Sequence, residues 1–153
     1  MSVIAVSPLL DSSLCILDLK SRTRESALAE IVEHLGAAVR DPALLRESMV
    51  RRERLAATAI GKGVALPNAR SLAVNVPRVV LARSVRGIEW EAADGERVRL
   101  ACAVISPAAW SEELHHELLA RAAAPFRLQR TRQRLFEAAD ARARFALWRE
   151  ALS

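Results

Sequence analysis

The chain has 153 residues, 52% of them hydrophobic and 27% charged, which is the composition of one folded domain with its own core and not of a disordered segment. Its formal charge is +5, carried almost entirely by arginine, with Lys20 and Lys62 as the lysines and no tyrosine. No apolar run approaches the ~18–20 residues that span a bilayer, which argues against membrane insertion, and no aromatics interleave with the basic residues as on a single-strand stacking platform.

In chain order, the opening M-S-V-I-A-V-S-P-L-L-D lacks a basic leader and breaks its apolar run at Pro8, so no signal peptide and a cytoplasmic location are expected. Leu14 to Leu19 is an apolar run of strand length. From Ser21 to Val39, apolar residues recur at Ala27, Leu28, Ile31, Leu35 and Ala38, which is helical spacing. Ser21 or Thr23 is placed to cap this helix, with Glu25 in its first turn. Asp41-Pro42 opens a second helix running to about Arg52, with Asp41 as N-cap, proline at the first helical position and a stripe of Leu44, Leu45, Met49 and Val50.

Short apolar pieces and glycines follow. Gly61 and Gly63 bracket Lys62 and lead into Val64-Ala65-Leu66, where Pro67 forces Leu66 into extended geometry. Arg78 to Arg83 reads as a strand and Asp94-Gly95 as a turn. Arg97 to Ile105 is the strand with the least polar alternation and hence the most buried, ended by Ser106-Pro107. Helices are predicted from about Ser111 to Ala124, from Arg130 to Ala138 and from Asp140 to Leu152. Helices before and after a group of strands predict a single α/β domain over residues 1–153, a mixed β-sheet with helices on both faces. Cys15 and Cys102 lie in apolar runs and read as buried reduced thiols. The three histidines, His34, His115 and His116, form no metal pair at useful spacing, and no cofactor motif is present.

The stretch from Arg52 to Arg70 reads R-E-R-L-A-A-T-A-I-G-K-G-V-A-L-P-N-A-R. It resembles the active-site segment of the phosphotransferase-system enzyme IIA domain of the fructose/mannitol/nitrogen-regulatory class. Arg52, Thr58, Gly61, Gly63, Pro67 and Arg70 match that pattern in order and spacing, and weaker similarity covers nearly the whole chain. The resemblance implies an enzyme IIA type-2-like fold. It also implies that residue 68 occupies the place of the histidine that carries phosphate, and that His115, with Leu119 and Ala120 after it, is the second active-site histidine.

Here the chain departs from the pattern, for residue 68 is asparagine. A phosphoryl acceptor must offer a free lone pair near neutral pH, as imidazole does. The amide nitrogen of asparagine has its lone pair delocalised into the carbonyl, yet asparagine still imitates one hydrogen bond of a neutral imidazole. Arginine suits the surroundings of such a site, since its planar fork grips two phosphoryl oxygens and never loses charge, and amides of the glycine turn would add donors. The expectation is a phosphorylation-blind regulator of the nitrogen branch with Asn68, Arg52 and His115 as site residues. By resemblance its partners are the phosphohistidine carrier protein and targets such as sensor kinases or potassium transporters. The length favours a stand-alone regulator over a fused sugar-permease component.

Blander readings stand beside these. Arg52 also suits a helix C-terminus on electrostatic grounds alone. His115 and His116 point about 100° apart on a helix, so one of them is expected to face the site and the other solvent. An active carrier using His115 or His116, a sugar-branch IIA component, and a basic nucleic-acid-binding module are the competing functions. The arginines at 127, 130, 132, 134, 142, 144 and 149 read as solvated faces of terminal helices that dock through Leu135, Ala139, Ala143, Leu147 and Trp148, or else as a surface for an acidic protein.

Overall fold

A computed structural model describes residues 5–10 and 16–153. Its elements are β1 (Ile16–Asp18), α1 (Arg24–Leu35), α2 (Pro42–Leu55), β2 (Ala59–Gly61), β3 (Val64–Ala65), β4 (Asn68–Ser71), β5 (Arg78–Ile88), β6 (Val98–Pro107), α3 (Glu112–Ala123), α4 (Gln129–Glu137) and α5 (Ala141–Leu152), with short 3-10 turns between some of them. Cys15 lies outside the described residues, and Cys102 is a fully buried residue of β6.

The sheet order is β1-β5-β6-β3-β2, with β4 also paired to β6. The central β5–β6 pair is antiparallel, β1 runs parallel to β5, and both β3 and β4 run parallel to β6. Mixed pairing with helices on both faces is the architecture expected from the sequence. Successive side chains of β5 and β6 alternate between faces. Val80, Ala82, Ala101, Ala103 and Ile105 pack with α1 and α2, whereas Val79, Leu81, Leu100, Cys102 and Val104 pack with α3, α4 and α5. That double burial is why β6 reads as an uninterrupted apolar run.

The helix starts follow local chemistry. Thr23, not Ser21, caps α1 in a capping box with Ser26; Ser21 bonds Glu30 instead. Asp41 caps α2 with Pro42 at its first position, and Ser111 and Asp140 cap α3 and α5. Among the boundaries that differ from the sequence reading are the ends of two strands. β5 runs on to Ile88, and β6 includes Ser106 and Pro107, because β4 continues the pairing where β3 stops. A proline is tolerated there because β5 pairs with β6 only as far as Ile105, which leaves Pro107 a neighbour on the β4 side alone, as at a sheet edge.

The arginine-rich tail also departs from expectation at one residue. Arg144 is 0% exposed. It donates to the Leu135 and Ala138 carbonyls and sits 3.6 Å from Asp18, so it ties α4, α5 and β1 together and is not on a solvated face.

Candidate functional site

Leu66 and Pro67 separate β3 from β4, so the chain leaves β6 after Ala65 and returns to it at Asn68, opposite Val104. Parity along β6 puts Asn68 and Arg70 on the α3 side, level with Val104 and Ser106, while Ala69 packs with the α1–α2 core. The approach to β4 is held by a buried carboxylate. Glu53 accepts from the Thr58 amide and the Thr58 hydroxyl, each at 2.6 Å. The Thr58 carbonyl in turn accepts from the Leu66 amide, and the Leu66 carbonyl accepts from Asn68 Nδ2 at 2.9 Å.

With Nδ2 committed to a carbonyl, Asn68 Oδ1 faces His115 Nε2 at 3.0 Å. An amide oxygen accepts and cannot donate, so His115 carries its proton on Nε2. Nδ1 is then an acceptor, and Ser106 Oγ lies 2.8 Å from it as donor. Asn68 is 5% exposed and His115 4%. Burial, then the charges of His116, Arg70 and Arg52, push the His115 pKa down to about 4 from an ordinary 6.5. At neutral pH the imidazole is uncharged, and its tautomer is fixed from both sides.

Asn68 and His115 form the base of a cavity of about 520 Å³ between α2 and α3, at the edge where β4 has no further strand beside it. Arg51, Arg52, Arg70 and His116 line it, with Glu112 as the one carboxylate and Leu55, 81% exposed, on the rim. Arg70 Nη1 donates to the Trp110 carbonyl and Arg52 Nη1 to the Ala56 carbonyl, at 2.9 and 2.7 Å. Arg52 therefore satisfies a carbonyl past the end of α2 and also lines the cavity. Each guanidinium keeps further donors beyond the one it has used.

Asn68, Arg52, Arg70 and His115 thus come together. His115 is the buried member of the histidine pair, and the exposed His116 lines the same cavity, its ring centroid 6.0 Å from that of His115. Gly61 and Gly63 do not join them. Gly63 sits beside Arg99 and Leu100, at the far end of β6, ~16 Å of strand from Val104. The glycine turn therefore cannot supply amides to Asn68, which corrects that expectation. Ser106 was missed by sequence reasoning, since it appeared only as a strand terminator. Its parity with Leu100, Cys102 and Val104 on the α3 face was the available signal. Among the described residues no group of three or more His, Cys, Asp or Glu side chains is arranged to hold a metal, and no helix is long and apolar enough to cross a membrane.

A family model described as "Phosphoenolpyruvate-dependent sugar phosphotransferase system, EIIA 2" matches residues 8–149. The PTS system fructose-specific EIIA component of Haloferax volcanii is 30% identical over 142 residues, covering 90% of each chain. The nitrogen regulatory protein of Pseudomonas aeruginosa is 32% identical over 107 residues, covering 70% of this chain and 69% of that one. The match to the Bacillus subtilis PTS system fructose-specific EIIABC component spans only 21% of that larger protein. Among solved structures, nitrogen regulatory protein IIA-Ntr from Neisseria meningitidis superposes with a TM-score of 0.84 at 24% identity, covering 94% of this chain and 98% of that one.

Proposed function

The chain belongs to the type 2 EIIA family of the phosphoenolpyruvate-dependent sugar phosphotransferase system, and from that premise we propose that it is a cytoplasmic, nitrogen-branch regulator that is not phosphorylated at residue 68 and acts by binding other proteins. The observation that carries this reading is Asn68 itself, at the base of an arginine-lined cavity and hydrogen-bonded to a neutral histidine. The surroundings suit a phosphoryl group, because the rim is cationic and fixed in place. The nucleophile is lacking, because both functional atoms of Asn68 are spent on hydrogen bonds and its nitrogen has no free lone pair. Nitrogen regulatory proteins are among the relatives, and so are fructose components, so the assignment to the nitrogen branch is part of the proposal. Partners of the site are the phosphohistidine carrier protein, met without phosphoryl transfer, and regulatory targets that respond to the unphosphorylated form.

The test is phosphoryl transfer from labelled phosphoenolpyruvate through the phosphohistidine carrier. The unaltered chain is expected to take up no label, and Asn68→His to gain acid-labile label. Failure of a folded Asn68→His variant to gain label would sink the assignment of the site.

One observation supports a second reading. His116 is exposed on the same cavity and free of the hydrogen bonds that lock His115. Label on the unaltered chain that disappears in His116→Gln would replace the binding-only reading with an active carrier.

A further inference from the structure

The Gly61-Lys62-Gly63 turn belongs to a second cavity, also about 520 Å³, at the opposite end of β6 from Asn68. Its wall includes Lys62, Arg99 and Arg132, with Glu96 as the one carboxylate, and the side-chain amides of Gln129 and Gln133. Three cations stand against one carboxylate in the lining, and Asp94, which holds the Lys62 amide from outside it, is a second, so the surroundings remain net cationic.

Each cation is held by a separate restraint. Arg99 Nη1 donates to the Val85 carbonyl at 2.8 Å, with its guanidinium 6.0 Å from the Phe136 ring centroid. Arg132 Nη1 donates to the Phe126 carbonyl at 2.7 Å. Neither forms a salt bridge among the described residues, so each keeps uncommitted donors in a fixed plane. Lys62 sits between two glycines with φ of 59°, a left-handed conformation that glycine adopts far more readily than lysine. Asp94 pins it there by accepting from the Lys62 amide at 2.9 Å, and a Cβ at Gly61, whose φ is 87°, would crowd the same carboxylate at 3.1 Å. The fold thus bears local strain to present a cation where a glycine would relax it, which is the pattern of strain retained at a functional position.

We infer that this cavity is a second anion site, holding one phosphoryl dianion of a small phosphate-bearing metabolite. The cavity is net cationic, and two half-anchored guanidinia present the forks that grip phosphoryl oxygens. A monocarboxylate has two oxygens and would engage one of those forks, whereas a phosphoryl group has a third oxygen for the other. The site is independent of the function proposed for the Asn68 cavity, and a ligand in it would leave that cavity free for a protein partner.

The experiment is a heteronuclear NMR titration of the full chain with inorganic phosphate and, separately, with glycerol 3-phosphate, at constant ionic strength set with chloride. Saturable shifts are expected at the Gln129 and Gln133 side-chain amides and at the Gly63 backbone amide. Tighter binding of glycerol 3-phosphate identifies an ester ligand; equal binding identifies free phosphate as sufficient. Arg99→Gln with Arg132→Gln is expected to weaken binding by about tenfold or more. Arg70→Gln, in the Asn68 cavity, is expected to leave these shifts unchanged. If the double variant does not fold, Lys62→Gln is read in its place, with a several-fold loss. Shifts that chloride alone reproduces, that never saturate, or that persist undiminished in the folded variants would overturn the site. The Asn68 cavity reports separately, through His116, so neither proposal hides behind the other.

Discussion

Among the described residues two buried polar clusters stand out, and they are built to opposite ends. Arg144 lies wholly within the structure, with its donors directed at the Leu135 and Ala138 carbonyls and at Asp18, which Arg83 Nε also contacts at 2.8 Å. Every partner belongs to an element that the arginine ties down. The chain of Glu53, Thr58, Leu66, Asn68, His115 and Ser106 is buried as deeply, yet it ends at the floor of an open cationic cavity. Burial of a polar group therefore does not by itself mark a functional site. The distinguishing feature is where the network ends: the Arg144 network ends on two backbone carbonyls and on Asp18, all within elements that the arginine ties together, and the Asn68 network stops at a surface on which charge has been collected.

The sharpest way to break this contrast is to remove Arg144. Arg144→Ala leaves two carbonyls without donors, opens a cavity where the buried stem lay and leaves Asp18 with one cation fewer, and it is expected to cost roughly 2–5 kcal/mol in urea unfolding. Arg144→Met, of similar length, is expected to recover part of that loss. Neither folded variant should alter ligand or partner binding at the Asn68 cavity. Altered binding there would mean that the two clusters communicate and that the division between them is wrong.

The next effect belongs to His115. Its folded pKa, about 4, lies below the ordinary 6.5, so the unfolded chain takes up the proton first as pH falls. The stability this contributes is complete above about pH 6.5 and is lost between there and about pH 4, to a total on the order of 3 kcal/mol. Carboxylates titrate in part of that range as well, so the comparison is with His115→Gln, in which this share of the slope should vanish. Equal slopes would place His115 in water.

Much of this contrast was legible beforehand, and the parts that were not share a cause. Apolar periodicity, the Asp41-Pro42 start and the Ser111 cap located α1, α2 and α3, because those signals act within a few residues. Asn68, Arg52 and His115 were readable as a group only through resemblance, since 47 residues separate Asn68 from His115 and nothing local joins them. The direction of Arg144 depends on how α5 packs on β1, so a charged residue in an arginine-rich helix read as solvated. The glycine turn was assigned to the wrong end of the sheet for a similar reason. Gly61 and Asn68 are close in sequence, but two residues of β3 and an extended Leu66-Pro67 step carry the chain along β6 between them.

Glu53 comes next in size and tests whether the supporting chain matters. Glu53→Ala strips the Thr58 amide and hydroxyl of their acceptor in a buried place, at an expected cost of about 1–3 kcal/mol. Loosening should reach Asn68 through Leu66, seen as faster hydrogen exchange at the amide of Leu66. Protection unchanged at that amide would show that β4 is positioned by its pairing with β6 alone.

The smallest change is the most selective. Ser106→Ala removes only the donor to His115 Nδ1 and is expected to cost about 0.5–1.5 kcal/mol. Its value lies in the nitrogen NMR spectrum of the imidazole. In the unaltered chain the Asn68 oxygen requires the proton on Nε2, so Nε2 should appear protonated and Nδ1 should carry the lone pair. In Ser106→Ala the proton should remain on Nε2, because Asn68 still dictates it. In Asn68→Asp a carboxylate should hold the proton there more firmly and raise the His115 pKa, by placing an opposite charge against the ring. A proton found on Nδ1 in the unaltered chain would mean that the Asn68 amide is turned the other way, with its nitrogen toward His115. The Leu66 carbonyl would then face an oxygen, and the hydrogen-bond chain from Glu53 to Ser106 would be broken at residue 68.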